Sequence, residues 1–387
     1  MRTTAQILRD YRGPALVSFG FRPFFLLAGL LAALAVPVWL WAWWTGAALS
    51  SDWHGHEMLF GYAGAVIAGY MIVAGANWTG HYPVAGWPVA ALAALWLAGR
   101  AAMPLGGWAE AVDAAFLPLF AALLWREQLA AANWRSLAPC LVVSALALAD
   151  LGFHLRGVRP GLGEAALRAG IALVAFLIAL MGGRLVPSFT RNWLARHRIT
   201  PEPAPQSALD RAALALAGAG LAAWVAAPES RAAGVLLVAG GTGLALRLAR
   251  WRGRAAAREG MVAILHLGYA WCALGVAALG ASVLWPVPQT AALHALTAGA
   301  IGVMTLAMMT RTARSHTGRA RQADPPTLAI YALVNLAALA RVAASLAGSQ
   351  ALMLASAICW TGAFALFVAV YGPILAGPAR KPRRKAG

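Results

Sequence analysis

Twelve apolar runs, each about as long as a bilayer-crossing helix requires, fill most of this chain of 387 residues. A helix rises about 1.5 Å per residue, so about 20 apolar residues cross a hydrocarbon core about 30 Å thick. The runs lie near 24–44, 57–76, 84–103, 108–125, 136–155, 164–186, 207–227, 231–249, 259–283, 289–311, 326–346 and 350–376. Helices are the expected form, because a spanning segment must satisfy its own backbone N–H and C=O groups. Composition agrees. Apolar residues make up 61% and charged residues 11%, too few polar groups to cover a water-facing surface. The chain therefore reads as an all-α polytopic membrane bundle. It forms a single transmembrane domain over 1–387, with an N-terminal segment 1–22 and a basic tail 378–387.

The formal charge of +18 would point to nucleic acid in a soluble protein. Here the arginines fall between apolar spans, and no basic face is interleaved with aromatics. They follow the rule that cytoplasmic connectors carry the Lys and Arg. With the N-terminus inside, 25 of the 31 basic residues fall in inner segments and five in outer ones, leaving Arg341 within a span. That split places both termini in the cytoplasm. Cys140, Cys272 and Cys359 lie in apolar stretches without a CxxC pair, so neither a disulfide framework nor covalent c-type haem attachment is expected. The polar start MRTTAQILRDYRG leads into a full-length span and does not read as a cleavable leader.

Eight histidines are an ordinary number for this length; their depth says more, because ionisable groups inside a membrane are costly. Measured from mid-span at about 1.5 Å per residue, His56, His54, His154 and His294 lie roughly 16, 19, 13 and 9 Å to the outer side. His266 lies about 7 Å to the inner side, and His316 follows the inner end of the tenth run. Four histidines from three helices thus share the outer leaflet, as a metal or haem site inside a bundle requires. His54 and His56 point about 200° apart if helical, and could grip one copper if the turn is frayed. His266 and His294 differ by about 16 Å in depth, too far to share one iron. Asp150, four residues before His154, is on the same face and could orient its ring. Glu57 adjoins His56. Arg341, in the outer half of its span, is expected to meet either Asp150 or a haem propionate. Bland readings compete: headgroup-bonded histidines, a protonated Asp150 and a snorkelling arginine.

Three segments together resemble the NnrS family: WHGHEMLFGYAGAVIAGYMIVAGANWTG (53–80), GGRLVPSFTRNW (182–193) and HALTAGAIGVMTLAMMTRTARSHTGR (294–319), with RPFF (22–25) and HLGYAW (266–271). The resemblance covers nearly the whole chain. It implies a twelve-span bacterial inner-membrane protein containing non-covalent haem and copper, which acts in the response to nitric oxide. Its recurrent histidines map to His54, His56, His154, His266, His294 and His316; His81 and His197 are outside those patterns. Nitric oxide, a small neutral molecule that partitions into lipid, is the implied partner. An enzyme that reduces it would also need an electron donor, for which no cytochrome or quinone pattern is legible.

Two other classes fit a twelve-span chain: a secondary transporter and a cofactor-free scaffold. The polar residues cluster in the outer leaflet rather than at midplane, and no convincing internal repeat is evident, which weighs against a transporter. The charge split generates a direct test of topology. Reporter fusions at Gly46 and Gly387 are expected to read opposite sides of the membrane, and the same side for both would overturn the assignment.

Overall fold

The computed structural model describes residues 11–47, 49–79, 84–131 and 137–380. His81, Arg135 and the basic residues of 1–10 and 381–387 lie outside the described residues. Twelve helices among the described residues are long and apolar enough to cross a membrane, and no strand occurs among them. They are α1 Phe21–Thr45, α2 Ser51–Ala76, α3 Trp87–Leu105, α4 Gly107–Ala131, α5 Leu137–His154, α6 Leu162–Arg196, α7 Ala208–Ala226, α8 Arg231–Ala249, α9 Gly260–Leu284, α10 Gln289–His316, α11 Pro325–Ala347 and α12 Gln350–Ala376. The hydropathy reading is thus right in number and placement. Four helices outrun it: α2 starts at Ser51, α4 continues to Ala131, α6 continues through Pro187 to Arg196, and α10 ends on His316 itself.

The chain divides into two compact units, residues 1–167 with 308–321 and 364–387, and residues 168–307 with 322–363. Aromatic packing fills the first. Phe21, Phe24 and Phe25 of α1 are fully buried, and Phe24 meets Phe116 of α4 at 5.8 Å between ring centroids. The second unit packs by small residues, as lipid-embedded helices do when backbones must approach closely. Consecutive glycines of α8 face opposite neighbours. A Cβ on Gly240 would strike the backbone of Ala217 in α7, and one on Gly241 the backbone of Ala277 and Ala273 in α9.

Two helices contain a π-helical segment. In α2 a seven-residue π-helical segment, Glu57–Ala63, follows His56. In α10 an equal segment, Ala295–Ile301, follows His294. Such wide turns are rare and recur at functional sites. The sequence beneath them matches as well: His56 and His294 are each followed by glycine at the fifth and eighth positions (Gly61 and Gly64, Gly299 and Gly302). Each glycine at the fifth position meets a tryptophan of its own unit. Trp96 Nε1 donates to the Gly61 carbonyl at 3.1 Å, and the Trp271 ring covers Gly299. The internal repeat that periodicity alone does not reveal is therefore a local one.

Close approach at α8 gives a graded test. Gly241→Val should cost about 1–3 kcal/mol through overpacking, seen as a lower melting temperature in detergent. Gly75→Ala, where no described residue lies within 4 Å of an added Cβ, should leave that temperature unchanged or higher.

Candidate metal centre

Four side chains of the first unit converge, and local sequence explains each placement. Ser50 Oγ accepts from Trp53 N at 3.2 Å and starts α2, which reaches His56 within two turns before the π segment widens the helix. Gly106 and Gly107, with φ of +67° and +60°, turn the chain into α4. Its first turns carry Glu110 and Asp113, three residues apart and therefore on one face. Asp150 and His154 are four apart near the end of α5, also on one face.

The geometry is tight. His56 Nε2 lies 3.0 Å from Asp150 Oδ1 and 3.1 Å from Asp113 Oδ2. His154 Nε2 lies 3.1 Å from Asp113 Oδ2 and 3.7 Å from Asp150 Oδ1. One donor atom from each of the four residues falls within 4.8 Å of all the others. His56, Asp113 and Asp150 are buried. The two imidazoles meet edge to face at 5.1 Å, and Phe60 and Phe153 wall off the His56 ring at 5.3 and 4.6 Å.

A second layer holds these groups. His154 Nδ1 sits 3.1 Å from Glu110 Oε2. Arg156 donates to both Glu110 oxygens at 2.7 Å, a bidentate pair that raises the guanidinium's pKa. Arg100 pairs with Glu57 at 3.2 Å and with Asp113. Each imidazole needs a partner on its second nitrogen to fix its tautomer, and Glu110 does this for His154.

Charge decides what the arrangement can do. Glu57, Glu110, Asp113 and Asp150 bring four negative charges; Arg100 and Arg156 bring two positive ones. With neutral imidazoles, two negative charges remain uncompensated where burying even one is costly. Two protons or one divalent cation would offset them. The contacts favour the cation. His56 Nε2 faces two carboxylate oxygens at nearly equal distance, and a single N–H cannot serve both well. A metal with bonds of about 2.0–2.2 Å spans donors about 3 Å apart and serves all four.

The sequence-derived candidates do not all meet here. His56 and His154 do, with Asp150 between them. His54, two residues before His56, stacks on Trp39 at 4.6 Å. His316 packs against Phe19 and Phe21, each at 5.7 Å. In the second unit, His266 donates from Nδ1 to the Val262 carbonyl at 3.0 Å, and its Nε2 lies 3.4 Å from Thr190 Oγ1; Gly253 packs against its ring. His294 donates from Nδ1 to the Thr290 carbonyl at 2.7 Å. Arg341 donates to Ser345 Oγ at 2.9 Å, while Asp150, weighed as its partner by depth, is engaged by the two histidines. Asp113, Glu110 and Arg100 were missed. The depth rule used for histidines would have found them, since all three fall in or beside apolar runs.

The model of the NnrS protein family matches residues 15–379. No curated protein matches the chain.

If the surplus charge governs this centre, Asp150→Asn should have opposite effects on two states of the protein. After chelation the variant should melt above wild type, since it carries one fewer uncompensated charge. After metal loading the order should reverse. Arg100→Leu, which strands Glu57 and Asp113, should destabilise both states by about 3–5 kcal/mol.

Proposed function

We propose, because this chain belongs to the NnrS family, that it is a membrane metalloprotein of the nitric oxide response, seated in the bacterial inner membrane, whose copper is held by His56, Asp113, Asp150 and His154. One observation carries the reading: four convergent donor atoms, from two imidazoles and two carboxylates, in a largely buried site that gathers four carboxylates against two guanidiniums. A set of two imidazoles and two carboxylates suits Cu(II), which favours nitrogen and oxygen in square-planar or tetragonal sites. It lacks the thiolate or thioether that would select Cu(I). A bound copper ion would supply a redox-active Lewis acid able to bind nitric oxide.

The protein's own residues do the rest. His56 and His154 present Nε2 atoms, and Asp113 and Asp150 present carboxylate oxygens. Glu110 orients His154, with Arg156 holding Glu110 in turn. Arg100 anchors Asp113 from the side opposite the imidazoles. Phe60 and Phe153 lay an apolar wall against the His56 ring, a surface that a neutral gas dissolved in the bilayer could cross.

Haem, the other cofactor that the family resemblance implies, does not suit this box, because carboxylate oxygens fill the space between the two imidazoles. His294 suits it better. It stands before an equal π segment and glycine pair to those after His56, and it donates from Nδ1 to the Thr290 carbonyl. His266 is closed in by Gly253 and Thr190. Binding of nitric oxide is the reading preferred to turnover. Reduction of two NO to N₂O and water consumes two electrons and two protons, and no donor site for the electrons is legible.

Purified protein should contain about one copper per chain, with a Cu(II) resonance that shows imidazole coupling and is quenched by nitric oxide. Asp113→Asn combined with Asp150→Asn should abolish that resonance and leave membrane insertion intact. Copper retained in full by the double variant would overturn the assignment.

A further inference from the structure

Within the first unit, a second group of charges is of the opposite sign. Three chain segments meet there, joined by one backbone bond and by the side chain of Arg22. Arg380 N donates to the Thr317 carbonyl at 2.9 Å, and Arg319 N to the Arg314 carbonyl at 3.0 Å. Arg22, at the start of α1, donates from Nη1 to the carbonyls of Leu375 and Gly377 at 2.9 and 2.6 Å, so it caps the end of α12. Each segment brings arginine: Arg22 from the first, Arg314, Arg319 and Arg321 from the second, Arg380 from the third.

Their burial is graded. Arg22 is 2% exposed and Arg314 is 8% exposed, whereas Arg319 is half-buried and Arg321 and Arg380 are exposed. The charges felt by Arg22 and Arg319 are those of other arginines. Arg319 acts on Arg22, and Arg319 is itself held below its ordinary pKa by burial, then by Arg380 and Arg314. Neutral carbonyls satisfy Nη1 of Arg22, yet its buried Nε has no hydrogen-bond partner among the described residues. A buried guanidinium costs several kcal/mol unless an opposite charge compensates it. No carboxylate among the described residues contributes to either environment.

We propose that Arg22, Arg319 and Arg380, with Arg314 beneath them, form a binding site for a phosphate oxyanion. The anion would accept from the Nε of Arg22 and lie against the positive N-terminal end of α1, where helix dipoles favour negative charge. The half-buried Arg319 and the exposed Arg380 form the rim through which it enters. Two sources carry this chemistry: the headgroup of an anionic phospholipid, which basic pockets at span ends commonly hold, and a free phosphate.

The test uses the full chain in lipid nanodiscs. Wild type is compared in phosphatidylcholine alone, in phosphatidylcholine with phosphatidylglycerol, and in phosphatidylcholine with added inorganic phosphate. Arg22→Gln, Arg319→Gln and Arg380→Gln are compared with Arg126→Gln, whose partner is the adjacent Glu127. The two rim variants keep the test open if Arg22→Gln fails to fold. Retention of phosphatidylglycerol by native mass spectrometry, weakened about tenfold by Arg319→Gln or Arg22→Gln and unchanged by Arg126→Gln, supports the site and names the lipid. A rise in melting temperature with inorganic phosphate, lost in the same variants, supports it and names the free anion. No response to either, or an equal response in Arg319→Gln, Arg380→Gln and Arg126→Gln, overturns it.

Discussion

An uncompensated charge in a low-dielectric interior is the constraint on which the functional reading depends. Removing a carboxylate from water costs several kcal/mol even after relaxation, and the first unit buries Glu57, Asp113 and Asp150 together. Arg100 and Arg156 answer only half of the negative charge once Glu110 is counted. The rest defines the centre: a cation must sit among the four donors, or protons must occupy them. The local architecture serves that arrangement. Turned glycines start α4 at the right height, the π segment widens α2 below His56, and Trp96 holds the Gly61 carbonyl beside it.

The second unit shows what a balanced buried network looks like. Arg247 is buried in α8, donating to Asp210 at 3.1 Å, to the Ala179 carbonyl at 3.0 Å and to Tyr269 Oη at 3.2 Å. Arg250 shares Asp210 at 2.7 Å and Ser207 Oγ at 2.6 Å. Gly182 and Gly183, singled out in the sequence as part of a motif, leave room for the Tyr269 ring and the Arg247 guanidinium. Arg247 and Asp210 balance each other in the interior, and the second cation, Arg250, is partly open to water, so the buried pair needs nothing from outside. Polarity at membrane depth is thus not by itself a site. Surplus charge and convergent ligand atoms are what separate the centre at His56 from the pair at Arg247.

Much of this was legible in the sequence, and the limits are physical. Hydropathy finds spans because lipid enforces one rule on every residue of a helix, which is why all twelve were placed. Depth along a straight helix identified His56 and His154 as neighbours in height and Asp150 as a support. It could not say which helices face each other, so Asp150 was weighed against Arg341, and Asp113 was passed over in an alanine-rich run. The π segments were invisible for a different reason. No residue preference marks them strongly, and the shared spacing of Gly61 with Gly64 and Gly299 with Gly302 stands out only once the backbone is seen.

The central claim is that nitrogen and oxygen atoms of His56, His154, Asp113 and Asp150 hold the metal. X-ray absorption at the copper edge of the purified protein tests it most directly. The account predicts a first shell of nitrogen and oxygen only, at about 2.0–2.2 Å, with outer-shell scattering from two imidazoles. A sulfur shell, or scattering from a single imidazole unaffected by His154→Ala, would contradict it.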